Sequence, residues 1–348
     1  MKIVQGLSYD DVLLIPQRSD IASRSEVSLR TKLSSGLELE IPIISINMDS
    51  VTGVEMSSTM SKLGGISFLP RFDSPEEEAN KVLEIVKRKG RVIAALGLRD
   101  NYMDRAEKCL KAGAVGLTID VAHGHMGQAI KATAKLKNKL GVPIFTGVIA
   151  TRLGARDLFL AGADGVRVGV GPGSICLTRI VTGCGVPQLT AIMEAKKAVK
   201  EFKGKTIIAD GGIKNSGDIV KALAAGADCV TLGSLLAGTD ESPGKKIMKD
   251  GVLYKEYNAS TSKVEKDSQL KRNSDQKKHF KLHIEGVESL VPYRGSVEEV
   301  IETMCAGVRS GFSYCGAKNI PQLRKKARFV QISSAGMRES GSHDVMVV

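Results

Sequence analysis

The chain has 348 residues, a formal net charge of +12 and a hydrophobic content of 42%. This length fits two average domains or one large α/β barrel, and the hydrophobic content is sufficient for a large core. The N-terminus shows no basic segment followed by an apolar run, and we find no apolar run long enough for a membrane span. We therefore expect a cytoplasmic protein without a signal peptide or a membrane partner.

The positive charge is spread over amphipathic segments such as 81–89 and 131–139, and aromatic residues make up only 4% of the chain. We therefore expect no nucleic-acid partner, because single strands are bound by stacking on aromatic side chains. A basic, nucleic-acid-binding barrel stays open as an alternative of a different class, and it predicts strongly salt-dependent binding. The six cysteines show no Cys-x-x-Cys pair and no zinc-type spacing, so no disulfide framework is predicted.

Short apolar runs of strand length alternate with segments of helical period along most of the chain. The predicted strands are 41–46, 65–69, 91–96, 115–120, 143–147, 165–168, 206–210 and 229–233. The predicted helices between them include 104–112, 126–140, 152–161, 189–203 and 216–225. Three helix-to-strand turns repeat the phrase Ala-Gly-Ala, with the glycines at 113, 162 and 226 as helix stops. The alternation predicts a (β/α)8 TIM barrel, whose catalytic groups lie at the carboxyl ends of the strands.

The segment 239–295 interrupts this alternation with a polar, lysine-rich excursion. A loop of this length inside a compact domain is either functional or disordered, and the residues alone leave both interpretations open. Helical patterns resume over 296–310 and 320–326. We interpret 1–348 as a single barrel domain that contains the excursion.

The segment 169–179 reads Gly-Val-Gly-Pro-Gly-Ser-Ile-Cys-Leu-Thr-Arg. Its glycines allow the backbone to approach a ligand closely, and its cysteine is a candidate nucleophile. Thr178 and Arg179 are placed to hold or polarise the group that Cys176 attacks. A tight turn with a buried thiol is the alternative. The seventh and eighth predicted strands end in Gly211-Gly212 and Gly233-Ser234, where barrels of this class commonly bind a phosphate.

These motifs resemble those of the IMP dehydrogenase / GMP reductase family. The resemblance extends from about residue 6 to about residue 345 and includes the segments 6–14, 47–51, 209–213, 316–318 and 334–340. It implies a (β/α)8 barrel in which 239–295 is a long mobile flap that closes over the active site. Only 71–90 joins the second and third predicted strands, so the regulatory CBS insert of many dehydrogenases is absent.

The resemblance also implies a mechanism, in which the thiolate of Cys176 attacks C2 of a purine mononucleotide and the adduct exchanges a hydride with NAD(H) or NADP(H). The other catalytic matches are Thr178 and Glu285. The matches to substrate-binding residues are Met48, Arg167, Ser174, Asp210, Gly212, Gly233 and Ser234. The matches to cofactor-binding residues are Asp120, His123 and Gly169.

A potassium ion and a homotetramer are implied in the same way. The potassium ligands would be backbone carbonyls of the central loop, at Gly171, Gly173 and Cys176, together with the tail of the next subunit, at Glu339, Ser340 and Gly341.

The two reactions of the family differ in how the adduct is resolved. The dehydrogenase activates water with an Arg-Tyr pair on the flap, whereas the nearest match here is Lys278-His279-Phe280, and lysine is not equivalent to arginine. Asn47 and the segments 254–257 and 259–262 also resemble reductases. The segments 180–183, 285–288, 291–295 and 335–340 resemble dehydrogenases instead, while Val148 and Arg71 depart from both patterns.

We therefore favour a GMP reductase, which converts GMP and NADPH to IMP, ammonia and NADP. The alternatives are an IMP dehydrogenase, which converts IMP, NAD and water to XMP and NADH, and a divergent activity on a purine nucleotide.

Overall fold

The amino-terminal part of the chain packs against the barrel as two small antiparallel pairings. The structure, a computed structural model, describes residues 3–98, 101–272, 283–342 and 344–346. Strand β1 (Val12–Leu14) pairs with a strand near the end of the chain, and β2 (Thr31–Ser34) forms a hairpin with β3 (Leu37–Leu39). The hydroxyl of Thr206 donates a 2.9 Å hydrogen bond to the carbonyl of Leu33, which places this hairpin at the amino ends of the barrel strands.

Eight parallel strands close a barrel within the part of the chain that the structure describes. They are β4 (Ile43–Ser45), β5 (Ile66–Leu69), β6 (Val92–Leu96), β7 (Gly116–Asp120), β8 (Ile144–Ile149), β9 (Gly165–Val168), β10 (Thr206–Asp210) and β11 (Cys229–Leu232). Each strand pairs with its neighbours in sequence, and β11 pairs with β4 to complete the ring. Each strand falls on a predicted strand segment, so the predicted (β/α)8 barrel is confirmed.

Helices cover the outside of the barrel or follow the carboxyl ends of its strands. They are α1 (Val54–Lys62), α2 (Pro75–Lys87), α3 (Tyr102–Lys111), α4 (Gly127–Leu140), α5 (Arg152–Leu160), α6 (Thr178–Thr182), α7 (Gln188–Val199), α8 (Ser216–Ala225) and α9 (Ser234–Ala237). Helix α7 ends before the predicted boundary at 203. The amides of Glu201 and Phe202 bond to carbonyls three residues back, which is the tighter geometry of a closing turn.

The three repeated Ala-Gly-Ala turns have the same structure. Gly113, Gly162 and Gly226 have φ of 106°, 99° and 130°, a backbone conformation that residues with a side chain rarely adopt. In two of these turns an aspartate follows and accepts a hydrogen bond from a neighbouring strand: Asp164 from the amide of Ile144 at 2.9 Å, and Asp228 from the amide of Ile207 at 2.8 Å. The turns therefore both stop the helices and set the start of the strands.

The excursion contains regular structure among its described residues. Strands β12 (Lys246–Lys249), β13 (Val252–Asn258) and β14 (Glu288–Pro292) form an antiparallel sheet, and α10 (Lys263–Arg272) lies between the last two strands in sequence. The ammonium group of Lys255, which is buried, donates 2.6 Å hydrogen bonds to the carbonyls of Thr239 and Ser242. This lysine anchors the sheet to the segment that follows α9. The described residues of the excursion thus form regular secondary structure, which the alternative of a disordered loop did not predict.

The chain ends with α11 (Val297–Tyr314), α12 (Ile320–Lys326), β15 (Phe329–Gln331), which is the partner of β1, and α13 (Ser334–Glu339). Helices α11 and α12 both pack against α8. Among the described residues, none of the helices combines the length and the apolar character needed to cross a membrane.

Candidate active site

A cavity of about 400 Å³ opens at the carboxyl ends of the barrel strands. It is lined by residues that end or follow barrel strands and by residues of the excursion. The predicted site residues among them are Met48, Asp120, Arg167, Gly169, Gly171, Gly173, Ser174, Cys176, Asp210, Gly212, Gly233, Ser234 and Glu285. The structure therefore brings together residues that are almost 240 positions apart in the sequence.

The loop that carries Cys176 connects β9 to α6, and its first residue must be glycine. Gly169 has φ of +154°, and a Cβ atom there would lie 1.9 Å from the carbonyl oxygen of Asp210. The guanidinium of Arg179 donates hydrogen bonds to the carbonyls of Val170 at 3.1 Å and Val186 at 2.6 Å. Arg179 lines the cavity, but its side chain is engaged in these bonds and holds the loop closed. This role differs from the expected one, which was to polarise a reacting group.

The thiol of Cys176 lies at one end of a hydrogen-bonded chain. It donates to the hydroxyl of Thr178 at 3.2 Å, and this hydroxyl donates to the carboxylate of Glu285 at 2.7 Å. Thr178 itself lies just behind the cavity wall. The three predicted catalytic side chains are thus in contact, and they form a continuous path for a proton between the thiol and a carboxylate.

Backbone hydrogen bonds hold Glu285 in this position. Its carbonyl accepts a 2.7 Å bond from the amide of Leu177, and the amide of Val287 donates a 3.1 Å bond to Ile175. These bonds flank a bridge between Cys176 and Gly286. The excursion is therefore joined to the cysteine loop as a short antiparallel ladder.

Alternating charges form the floor of the cavity. The guanidinium of Arg71 lies 3.2 Å from the carboxylate of Asp120, which lies 3.4 Å from Arg167, and Arg167 bonds to Asp210 at 2.7 Å. The hydroxyl of Thr231 donates a further 2.9 Å bond to Asp210. Burial would raise the pKa of Asp120, but the charges of Arg71 and Arg167 outweigh it and hold this pKa below its ordinary value.

Gln188 and Tyr257 are among the cavity residues that the sequence analysis missed. The amide nitrogen of Gln188, at the start of α7, donates to the carbonyls of Val168 at 2.7 Å and Asp210 at 3.2 Å, and so ties the ends of β9 and β10 together. Nothing in its sequence surroundings indicates this role.

Tyr257 is another of the missed residues. Its ring is buried, and burial raises the pKa of its hydroxyl to about 12. The hydroxyl lies beside Gly233, where a Cβ atom would be 2.7 Å away, and it contacts Ser174. Lys255 and Tyr257 are the buried positions of β13, so the period of two along 252–258 was the signal that could have identified them.

The remaining predicted residues lie away from the cavity. His123 does not line it, and its ring packs 6.3 Å from that of His125, which bonds to Asp157 at 2.9 Å. Glu339, Ser340 and Gly341 lie at the end of α13, near the short helix Tyr9–Asp11 and outside the cavity of their own chain. Lys278-His279-Phe280 lies outside the described residues. Across the described ranges, no group of three or more His, Cys, Asp or Glu side chains is placed to hold a metal ion.

Comparison with known proteins places the chain in a family. A profile for the IMP dehydrogenase / GMP reductase domain matches residues 6–343. The inosine-5′-monophosphate dehydrogenase of Nitrosopumilus maritimus is 34% identical, with 100% of both chains covered. The GMP reductase of Leishmania major is also 34% identical, with coverage of 98% of this chain and 97% of that protein.

A solved structure shows the same fold. It is a cysteine-to-alanine variant of the GMP reductase of Trypanosoma brucei in complex with guanosine 5′-monophosphate, with a TM-score of 0.93, 32% identity and coverage of 99% of both chains. Since the domain match, these relatives and the barrel agree over almost the entire chain, the chain belongs to the IMP dehydrogenase / GMP reductase family of oxidoreductases.

Proposed function

We propose that this protein is a GMP reductase, which converts GMP and NADPH to IMP, ammonia and NADP through a bond between Cys176 and C2 of the purine. The observation that carries the proposal is the chain of hydrogen bonds from Cys176 through Thr178 to Glu285, at the wall of a cavity large enough to hold much of a nucleotide.

The first half of the reaction replaces the C2 amino group of GMP by sulfur. The S–C2 bond forms, the C2–N bond breaks, and the proton of the thiol ends on the departing ammonia. Thr178 lies between the thiol and Glu285, so the proton moves to the carboxylate as the thiolate attacks and returns to the amine as it leaves. A positioned acid-base pair of this kind accelerates such a step by about 10²- to 10⁴-fold.

The second half resolves the adduct, and NADPH supplies the hydride to C2 when it is bound. The cavity residues fit such a cofactor. The carboxylate of Asp120 is 23% exposed, and after its contacts with Arg71 and Arg167 it still has lone pairs for ribose hydroxyls. Gly169 offers a bare backbone surface next to the cysteine loop. The C2–H bond forms as the C2–S bond breaks and the sulfur leaves as a thiolate. Because the proton of the thiol left with ammonia, the thiolate takes up a new proton from solvent, and Glu285 and Thr178 provide a path for it.

The nucleotide is held by the rest of the cavity. Met48, which is buried, offers an apolar surface for the base, and Asp210 offers an acceptor for the ribose hydroxyls. Ser174 and Ser234 offer hydroxyl groups for the phosphate, and Gly212 and Gly233 leave their backbone amides accessible. His123 follows the end of β7 at Asp120 and does not line the cavity, and we assign it to the far end of the dinucleotide.

Two grounds favour the reductase. Lys278-His279-Phe280 stands in place of the water-activating pair, and the chain is similar to GMP reductases, one of which was solved in complex with guanosine 5′-monophosphate. An IMP dehydrogenase is the second candidate. It is favoured by relatives such as the inosine-5′-monophosphate dehydrogenase of Cryptosporidium parvum, which is 37% identical.

We further propose a cytoplasmic homotetramer that binds potassium. The carbonyls of Gly171, Gly173 and Cys176 would hold the ion together with Glu339, Ser340 and Gly341 of the adjacent subunit. The location of the tail outside its own cavity supports a role in a neighbouring chain, and the turn at Gly171, with φ of +80°, supports convergent carbonyls.

The proposed reaction is tested by measuring absorbance at the nicotinamide band under anaerobic conditions with potassium present. We expect a loss of absorbance with GMP and NADPH, abolished by Cys176→Ala and retained by Cys184→Ala, which removes an exposed thiol outside the cavity. A gain of absorbance with IMP and NAD, with XMP formed, would establish the dehydrogenase instead. If absorbance changes in neither mixture, both reactions are excluded.

A further inference from the structure

Among the described residues that line the cavity, three carry a positive charge: Arg167, Arg179 and Lys214. Arg167 is buried and bonds to Asp210 at 2.7 Å, and Arg179 donates its hydrogen bonds to backbone carbonyls. The side chain of Lys214 is 55% exposed. A phosphate monoester carries about −1.5 to −2 charges at neutral pH, whereas the hydroxyls and amides proposed above to hold it are uncharged. Lys214 is therefore the described cavity cation whose side chain can turn toward this phosphate.

Lys214 stands beside the glycine turn that we assign to the phosphate. It follows Gly212 by two residues, and its amide donates a 2.9 Å hydrogen bond to the carboxylate of Asp218. A Cβ atom on Gly212 would lie 3.6 Å from the ring of Tyr9, so the glycine turn also contacts the amino-terminal segment. The backbone of Lys214 is thus held at the edge of the cavity, while its side chain keeps the flexible four-carbon stem of a lysine.

The ammonium group of Lys214 is paired with Asp10 at the same edge of the cavity. It donates hydrogen bonds of 2.7 Å and 2.6 Å to the two carboxylate oxygens of Asp10, which also lines the cavity and is 42% exposed. An ion pair between two side chains this exposed is weak. A phosphate carries more negative charge than one carboxylate and attracts the ammonium more strongly at equal distance.

We propose that Lys214 exchanges partners when the nucleotide binds, so that its ammonium group leaves Asp10 and binds the 5′-phosphate. This inference rests on the proposed function for its ligand, a purine mononucleotide. GMP and IMP carry the same phosphate, so the role of Lys214 is the same in either reaction of the family. Lys214 is then a substrate-binding residue that favours a nucleotide over the nucleoside without the phosphate.

The first arm of the test measures equilibrium binding of GMP and of guanosine without cofactor. We expect Lys214→Met to weaken GMP binding by about 3- to 10-fold and to leave guanosine binding unchanged. Lys318→Met is the matched control, because it removes a lysine that is 49% exposed and pairs with Glu26 at 2.6 Å outside the cavity. Unchanged GMP binding by Lys214→Met, or equal losses for GMP and guanosine, would overturn the proposal.

The second arm separates binding of the phosphate from simple neutralisation of Asp10. Asp10→Asn releases the ammonium group, so we expect it to strengthen GMP binding by about 2- to 5-fold. Lys214→Met should weaken GMP binding by a similar factor in the Asp10→Asn background as in the unmodified protein. If its effect disappears in that background, Lys214 only neutralises Asp10 and the proposal is wrong.

Both arms measure binding and need no turnover. Failure of the unmodified protein to bind either GMP or IMP would contradict the proposed function itself and this inference with it. GMP binding that does not depend on Lys214 would contradict this inference alone.

Discussion

The hydroxyl of Thr178 donates a 2.7 Å hydrogen bond to the carboxylate of Glu285, although the two residues are 107 positions apart in the sequence. Thr178 begins α6 directly after the loop of Cys176, and Glu285 belongs to the excursion. Because the same hydroxyl accepts from the thiol of Cys176, one threonine connects the proposed nucleophile to the carboxylate that we propose as the acid for the leaving group.

Glu285→Gln should therefore lower the rate of ammonia release by about 100-fold, since the amide can accept the bond from Thr178 but cannot carry the proton. The measurement is single-turnover release of ammonia from GMP, with GMP affinity measured separately and expected to be unchanged. Glu288→Gln, on the exposed start of β14, is the matched control. Equal rates for both variants would contradict the proton path.

The Gly233→Ala variant should bind GMP more weakly. The new Cβ would lie 2.7 Å from the hydroxyl of Tyr257, so the two groups cannot both keep their positions in the cavity wall. Removing this hydroxyl relieves the contact, since the next ring atom is 3.6 Å away. We expect the double variant Gly233→Ala/Tyr257→Phe to bind GMP as well as Tyr257→Phe alone. Simple additivity of the two single effects would show that the residues do not interact at this site.

Gly169→Ala should destabilise the barrel by at least about 3 kcal/mol, because the new Cβ would lie 1.9 Å from a backbone carbonyl that has little freedom to move. Thermal unfolding measures the loss. Gly127→Ala is the matched control: the site begins α4, has an ordinary backbone conformation, and offers open space, so its effect should stay within about 0.5 kcal/mol. Similar melting temperatures for both variants would refute the close approach.

Lys255 should make stability depend on pH in the alkaline range. Its burial lowers the pKa of the ammonium below the ordinary value of 10.5, so between these two pKa values the unfolded chain binds more protons than the folded one. The free energy of unfolding contributed by this lysine therefore rises with pH through that window.

The comparison of the unmodified protein with Lys255→Met isolates this contribution. We expect the stability difference to shift in favour of the unmodified protein as the pH rises toward 10.5, the ordinary pKa of lysine. Lys263→Met, at an exposed lysine of α10, is the control and should show no such shift. A difference that is constant with pH would indicate that Lys255 titrates alike in both states.

Replacement of potassium by sodium at constant ionic strength should lower the rate of GMP reduction, and added potassium should restore it. Carbonyl cages discriminate between ions by size and ligand number. Choline chloride serves as a control for ionic strength. Equal rates in all three salts would refute a functional potassium site at Gly171, Gly173 and Cys176.

The barrel was predictable because its strands are short apolar runs and its turns carry glycines that positive φ requires, as at Gly113 and Gly162. The residues around Cys176 were predictable for the same reason, since their motif is local. Gln188 was missed because its partners are backbone carbonyls at the ends of two other strands, a relationship that only the closed sheet creates. The sheet of the excursion was missed because burial alternates along β13 with a period of two, and one of the buried positions is a lysine, Lys255. A lysine at a buried position hides the usual alternation of apolar and polar residues.

Cys176 and Asp210 belong to the barrel, whereas Glu285 is supplied by a segment inserted between β13 and β14 and attached to the cysteine loop through Leu177 and Val287. Under the proposed mechanism, recognition of the nucleotide and the fate of its adduct are thus encoded in different stretches of the chain. Natural selection can replace the second stretch without rebuilding the first. If the proposed roles hold, changes concentrated in a single insertion are sufficient to turn one scaffold toward either reaction of the family.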